Sequence, residues 1–139
     1  MNASFEEKSA WVQLIALTVV LGSYFLLAGR LLAAGVLELG IYVPLFVGAI
    51  VLLVVVLVAG HILVAIASRP DGRDERDRLI EWRAESNASW ILGMGVLGAI
   101  GALLFAVENV WIAHLLLLSM LVSEIAKLLL QVYYYRFGV

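Results

Sequence analysis

Residues 69–85, RPDGRDERDRLIEWRAE, carry five of the nine Lys/Arg and six of the eleven Asp/Glu in a chain of 139 residues. Almost everything on either side is apolar: 64% of the chain is hydrophobic, 14% is charged, and the mean hydropathy is +1.05. A water-soluble domain is roughly half apolar and roughly a quarter charged. Apolar runs this long cannot all be hidden inside one small domain in water, so lipid must cover them. The charged stretch then reads as a wet connector between two greasy hairpins.

Working outward, four segments reach the roughly 20 apolar residues needed to cross the hydrocarbon core. They lie at about 10–29, 42–67, 88–107 and 110–135. The expected fold is all-α: a polytopic membrane protein, four transmembrane helices in two hairpins with a charged helical connector at 69–87, one domain over 1–139. Before the first span, Ser4-x-x-Glu7 has capping-box spacing. The start of the chain is acidic and lacks an A-x-A cleavage pattern, so the first helix reads as retained. After Arg30, residues 31–39 read either as a helix extension or as an interfacial loop. Pro44 suits a first helical turn, where its missing amide costs nothing. The second span stops at Ser68-Arg69-Pro70-Asp71-Gly72, a turn signal.

The connector restarts as a helix. Asp74 suits an N-cap, and Glu75 and Asp77 suit the positive end of the helix dipole. Leu79 and Trp82, with Ile80 beside them, share one side. No Pro or Gly separates Asp74 from Trp90. The charged helix therefore either runs straight into the third span or bends near Ser86-Asn87 and lies on the membrane surface. Alternating charges usually form a solvated face held by pairs such as Asp74–Arg78. The functional alternative is a docking surface made by Asp74, Glu75, Arg76, Arg78 and Trp82. Arg76, Arg78 and Arg83 also suit anionic headgroups, against the opposition of six carboxylates.

In the third span, Gly95-x-x-x-Ala99 and Gly98-x-x-x-Ala102 are small-xxx-small pairs that let a second backbone approach. They serve helix packing, either inside the chain or at a homodimer seam. Orientation follows from Lys8, Arg69, Arg73, Arg76, Arg78, Arg83 and Arg136 on the side of the termini and connector, against Arg30 alone on the other. That bias places termini and connector in the cytoplasm and the chain in the cell inner membrane. Trp11 and Trp90 then mark one interface, and Trp111 and Tyr42 the other. A faint echo between residues 7–11 and 85–90 fits either a duplicated hairpin or two hairpins meeting the same interface.

Ionisable residues inside a span are the natural functional candidates. His61, Glu124 and Lys127 fall at similar depth, roughly 12–18 Å from the arginines that end their helices. Glu124 and Lys127 are i, i+3 neighbours and can neutralise each other. His61 joins them if the second and fourth spans touch. Ser119, Ser123 and Gln131 extend the polar side. The cluster is either a structural lock or a proton- or ligand-responsive site with histidine as the switch. His114 reads as an interface residue. Two histidines and scattered carboxylates lack metal-ligand spacing, and the absence of cysteine excludes disulfides and thiolate chemistry. No metal, cofactor or catalytic residue is expected. A net charge of −2 implies no direct nucleic-acid binding.

The run Asp74-Glu75-Arg76-Asp77-Arg78-Leu79-Ile80, followed by Glu85-Ser86 and a new apolar span, resembles small bacterial and archaeal integral membrane proteins of uncharacterised function. Those carry a D-E-R-[DE]-x-[LI]-I connector between two hairpins. The resemblance implies four helices, a cytoplasmic connector and regulatory association with a small DNA-binding protein. It assigns no catalytic residue. The expected function is a non-enzymatic sensor, scaffold or regulatory module acting through the connector. Its partners are membrane lipid, a second copy, or a small cytoplasmic regulatory protein. The alternative is a small transporter or channel subunit using His61, Glu124 and Lys127.

Overall fold

The computed structural model describes residues 5–68 and 74–138. Ser4 of the expected capping box, and Arg69 to Arg73 of the expected turn and charge tally, lie outside them. Among the described residues there are four helices: α1 (Phe5–Ala33), α2 (Leu39–Ala67), α3 (Glu75–Leu104) and α4 (Asn109–Phe137). All four are long and apolar enough to cross a membrane, so the chain is a multi-pass membrane protein.

Packing sets the lateral order as α3, α4, α1, α2: α4 holds α3 on one side and α1 on the other, and α2 packs chiefly on α1. The buried core runs along α1. Ala10 and Leu14 meet Leu128 and Val132 near the termini; Ala16, Val20 and Leu21 meet Leu53 and Leu121 midway; Tyr24 and Ala28 meet Tyr42 and Val110 at the far end. Little of α2 is buried beyond Tyr42, Leu53 and Val64, which suits a helix surrounded mostly by lipid.

α3 resolves the choice left open at the connector. It is one helix from the charged residues into the span, with Ile80, Ala84 and Ala88 holding its first turns against the bundle. Its start is a capping box: the Glu75 amide donates to Asp74 Oδ1 at 2.7 Å, and the Asp74 amide donates to Asp77 Oδ2 at 3.1 Å. The Asp74 carboxylate thus serves the backbone rather than the expected pair with Arg78. Ile80, Ala84 and Ala88 are buried against the bundle at i, i+4 spacing, and the Ser123 hydroxyl donates to the Ala88 carbonyl at 3.1 Å. Ile80 therefore leaves the side it was expected to share with Leu79 and Trp82, which remain exposed. Further along, a methyl group built on Gly95 would fall inside the Ser119 side chain, and one on Gly98 would touch Leu115. Ala99 is buried, and Ala102 is half-buried. The small residues of α3 thus serve α3–α4 packing within the chain.

The two loops opposite the connector share one solution. After α1, Val36 N–H donates to Leu31 O and Gly35 N–H to Leu32 O, both at 3.0 Å, with Gly35 at φ 81°. After α3, Val107 N–H donates to Ala102 O at 3.0 Å and Ala106 N–H to Leu103 O at 3.1 Å, with Ala106 at φ 54°. Both are Schellman caps, but only the first has glycine at the left-handed position. A Cβ there costs about 1 kcal/mol. Ala106→Gly is expected to raise the melting temperature in detergent; an unchanged or lower value would count against strain at this turn.

α2 begins at Leu39, so Pro44 lies a turn further inside than expected and leaves one backbone hydrogen bond unmade. Tyr42 keeps its expected level beside the outer loop but faces inward. It is only 2% exposed, and its hydroxyl donates to the Val36 carbonyl at 2.7 Å.

Candidate functional site

The starts of α1 and α3 and the ends of α2 and α4 share one end of the bundle, and the polar side chains tie them together. Arg136 Nε donates to Glu7 Oε1 at 3.0 Å, and its guanidinium lies 5.7 Å from the Trp11 ring centroid. Lys8 Nζ donates to Ser68 Oγ at 2.6 Å. Arg76 Nη2 donates to the Tyr135 carbonyl at 3.4 Å, and Asn87 Nδ2 to the Tyr134 hydroxyl at 2.9 Å. Of the expected docking residues, Asp74 and Arg76 are therefore occupied within the chain. All five, Glu75, Arg78 and Trp82 included, remain exposed.

Lys127 pairs with Glu124, as its spacing on α4 predicts, and also reaches Glu85 Oε2 of α3 at 3.5 Å. The second contact fixes the depth of the cluster. Residues 86–104 of α3 carry no charge, and at about 1.5 Å per residue they span roughly 28 Å, about the hydrocarbon thickness. Glu85 is the last charge before that stretch. Lys127 thus sits at the edge of the apolar slab and Glu124 about one turn deeper, which lowers the cost of keeping both ionised.

His61 is not beside them. Its Nδ1–H donates to the Leu57 carbonyl at 2.7 Å; a carbonyl only accepts, so the proton is on Nδ1. Nε2 is then the acceptor and faces the Ser9 hydroxyl at 2.9 Å and the Gln13 amide at 3.4 Å, both on α1. The physical reason is the lateral order: α2 packs chiefly on α1, and at this end of the bundle α1 stands between α2 and α4, so the His61 side chain meets α1 first. Ser9 and Gln13, an i, i+4 polar pair at the start of an apolar helix, were the legible sign of such a partner.

Between the two groups lies a cavity of about 80 Å³, lined by Glu6, Ser9 and Gln13 of α1, Asp77 and Glu81 of α3, and Lys127, Gln131 and Tyr135 of α4. It has room for roughly two or three waters. Ser9 and Gln13 border it and also touch His61, so the expected trio is linked indirectly through α1. Carboxylates outnumber cations on its wall. Among the described residues no group of three His, Asp or Glu side chains is placed to hold a metal ion. Ser9 and His61 stand at nucleophile–base distance, but Ser9 is buried and sits in a helix that employs its own backbone amides. The Gln13 amide also donates to the Ser9 oxygen, at 3.4 Å.

His114 lies near the outer end of its span, as expected, but it is buried among other helices rather than facing the interface. Its Nδ1–H donates to the Val110 carbonyl at 2.7 Å, and its Nε2 accepts from the Tyr24 hydroxyl at 3.1 Å. The Tyr42 ring meets it edge-on at 4.8 Å, and Phe25 and Phe46 complete an aromatic cluster. No local signal announces this cluster, because Tyr24 and His114 are 90 residues apart.

Compared with known proteins, the chain matches no family model, no curated protein and no solved structure.

Proposed function

We infer that the chain is a non-enzymatic regulatory or scaffolding module of the inner membrane, with its termini and connector in the cytoplasm. The observation that carries this reading is the unbroken α3. Its first turns present Glu75, Leu79, Trp82 and Ser86 on one exposed face, with Arg78 at the flank, while Ile80, Ala84 and Ala88 anchor the opposite face. A rigid helix that shows Trp82 at 69% and Leu79 at 47% exposure beside charges has the make-up of a docking face. The bias of seven Lys/Arg against one supports the cytoplasmic orientation. The resemblance of the connector motif supports a small DNA-binding regulatory protein as partner.

The transporter reading has less support. The polar cavity and the His114 cluster occupy opposite ends of the bundle, and the apolar side chains of Ala16, Val20, Leu21, Leu53 and Leu121 pack together between them. An ion crossing this protomer would meet an apolar plug.

The chain has no cysteine, so Glu75→Cys gives a single label on the exposed face, well clear of the apolar stretch. In cells, this thiol is expected to resist a membrane-impermeant maleimide until lysis and to cross-link to a cytoplasmic protein. Adding Arg78→Glu and Trp82→Ala is expected to cut cross-linking at least tenfold while leaving the melting temperature close to that of the parent. Labelling from outside intact cells would overturn the orientation; cross-linking that survives both changes would overturn docking here.

A further inference from the structure

The charges of the first turns of α3 are sorted by side. Asp77 and Glu81 line the polar cavity and Glu85 reaches Lys127, so these carboxylates form one i, i+4 column turned toward the cavity and Lys127. Arg83 stands two residues from both Glu81 and Glu85, about 200° round the helix, and therefore on the opposite side. Its neighbours one turn away are Leu79, Ile80, Ser86 and Asn87, none of them acidic. Arg78, by contrast, stands one turn from Asp74, Glu75 and Glu81. Arg83 is exposed and makes no hydrogen bond, ion pair or ring contact with any described residue.

Two neutral donors lie one turn deeper on the same flank. Asn87 Nδ2 donates to the Tyr134 hydroxyl of α4 at 2.9 Å. That hydroxyl accepts, so its own proton is left over, and no described residue takes it. The level selects the ligand. Glu85 is the last charge before the apolar stretch, and Arg83 and Asn87 lie about 3 Å to either side of it along the axis. This is the edge of the hydrocarbon slab, where lipid phosphates are the abundant anions. Trp90 continues the stripe at i+7, 65% exposed, as an interfacial ring.

We propose that Arg83, Asn87 and the Tyr134 hydroxyl bind the phosphodiester of one anionic glycerophospholipid from the leaflet on the connector side. The guanidinium supplies the charge and a planar fork for two phosphate oxygens. Asn87 and Tyr134, held together by their own hydrogen bond, supply the neutral donors. A zwitterionic headgroup brings its own cation to compete for the phosphate; an anionic one does not. The site depends neither on partner docking nor on which compartment the connector faces.

The test titrates the full chain in detergent with phosphatidylglycerol and with phosphatidylcholine of the same acyl chains, and reads retained lipid by native mass spectrometry. The first phosphatidylglycerol is expected to bind about fivefold more tightly than the first phosphatidylcholine, the ratio that one arginine near an anionic headgroup supplies. Arg83→Gln is expected to abolish the preference and Tyr134→Phe to weaken phosphatidylglycerol binding, both without lowering the melting temperature. Arg78→Gln is expected to leave the preference intact, and excess inorganic phosphate is expected not to displace the lipid. Equal binding of the two lipids, a preference that survives Arg83→Gln, or unchanged binding in Tyr134→Phe would overturn the proposal. So would equal losses in Arg78→Gln and Arg83→Gln, which mark diffuse attraction, or displacement by inorganic phosphate, which marks a site for a free anion.

Discussion

Gly95→Ala is expected to destabilise the α3–α4 hairpin, and Ser119→Gly to restore it. The added methyl would overlap the Ser119 side chain, so the two helices must separate or Ser119 must move. Ser119 is buried, and its hydroxyl is tied to the Leu116 carbonyl at 2.8 Å, which leaves the side chain little freedom to move aside. Overpacking of this kind costs about 1–3 kcal/mol, and a larger side chain such as leucine is expected to prevent folding. In the double variant the new methyl lies 3.6 Å from the Cα of residue 119, an ordinary contact. Ser119→Gly alone costs about 1 kcal/mol of helix propensity. The thermal melt in detergent of both single variants and the double variant forms a double-mutant cycle. Additive losses would mean that the two positions do not face each other. The same separation would also move Ala88 away from Ser123 and loosen the connector's footing, so the predicted docking should weaken along with stability.

Lys127→Met is expected to cost more than Glu124→Gln. Lys127 is the common partner of two carboxylates, Glu124 on its own helix and Glu85 on α3, at the depth where α3 loses its last charge. Removing the cation leaves two like charges at the margin of the apolar slab; neutralising Glu124 leaves the Lys127–Glu85 pair in place. Breaking a fully buried pair costs about 3–5 kcal/mol, but these side chains are 19%, 41% and 61% exposed. Solvent screening reduces the expected loss for Lys127→Met to about 1–2 kcal/mol. Adding Glu124→Gln to Lys127→Met is expected to recover part of it. The measurement is again the melting temperature in detergent. A Glu124→Gln loss equal to or above that of Lys127→Met would show that the Glu85 contact contributes nothing. This outcome also bears on the choice between lock and responsive site: partial recovery by neutralising a carboxylate is what a structural lock requires.

The connector shows how far local pattern reaches. Asp74 was readable as a cap and Glu75 and Asp77 as first-turn acids because capping depends only on residues within one turn. The unbroken run to Trp90 was readable as either a straight or a bent helix, because the hydrogen bonds of the helix do not record what its faces touch. The burial of Ile80, Ala84 and Ala88 against the bundle decided it. The Glu124–Lys127 pair was legible for the same local reason as the cap, whereas Glu85 as a third member was not, since it comes from another helix. His61 was misplaced on one premise, that α2 touches α4 at its depth; the two helices meet further along, where Tyr42 packs on His114, but at His61 α1 stands between them. Depth along a helix follows from counting residues, but the neighbour at that depth follows from lateral order, and nothing in an apolar run says which helix stands beside it.

The amino-acid sequence by itself determined the four membrane-crossing helices, their grouping into two hairpins and the charged joint between them, because water and lipid sort long stretches by polarity whatever the packing. Only the tertiary structure decided that α1 separates α2 from α4 at the connector end, that His61 answers to Ser9 and Gln13, and that Tyr24, Tyr42 and His114 close into one aromatic cluster at the other. In lipid, one apolar helix face is about as good as another, so lateral order rests on close contacts such as Gly95 with Ser119 and Gly60 with Val12. Those contacts join residues 24 and 48 positions apart, beyond the reach of any local pattern.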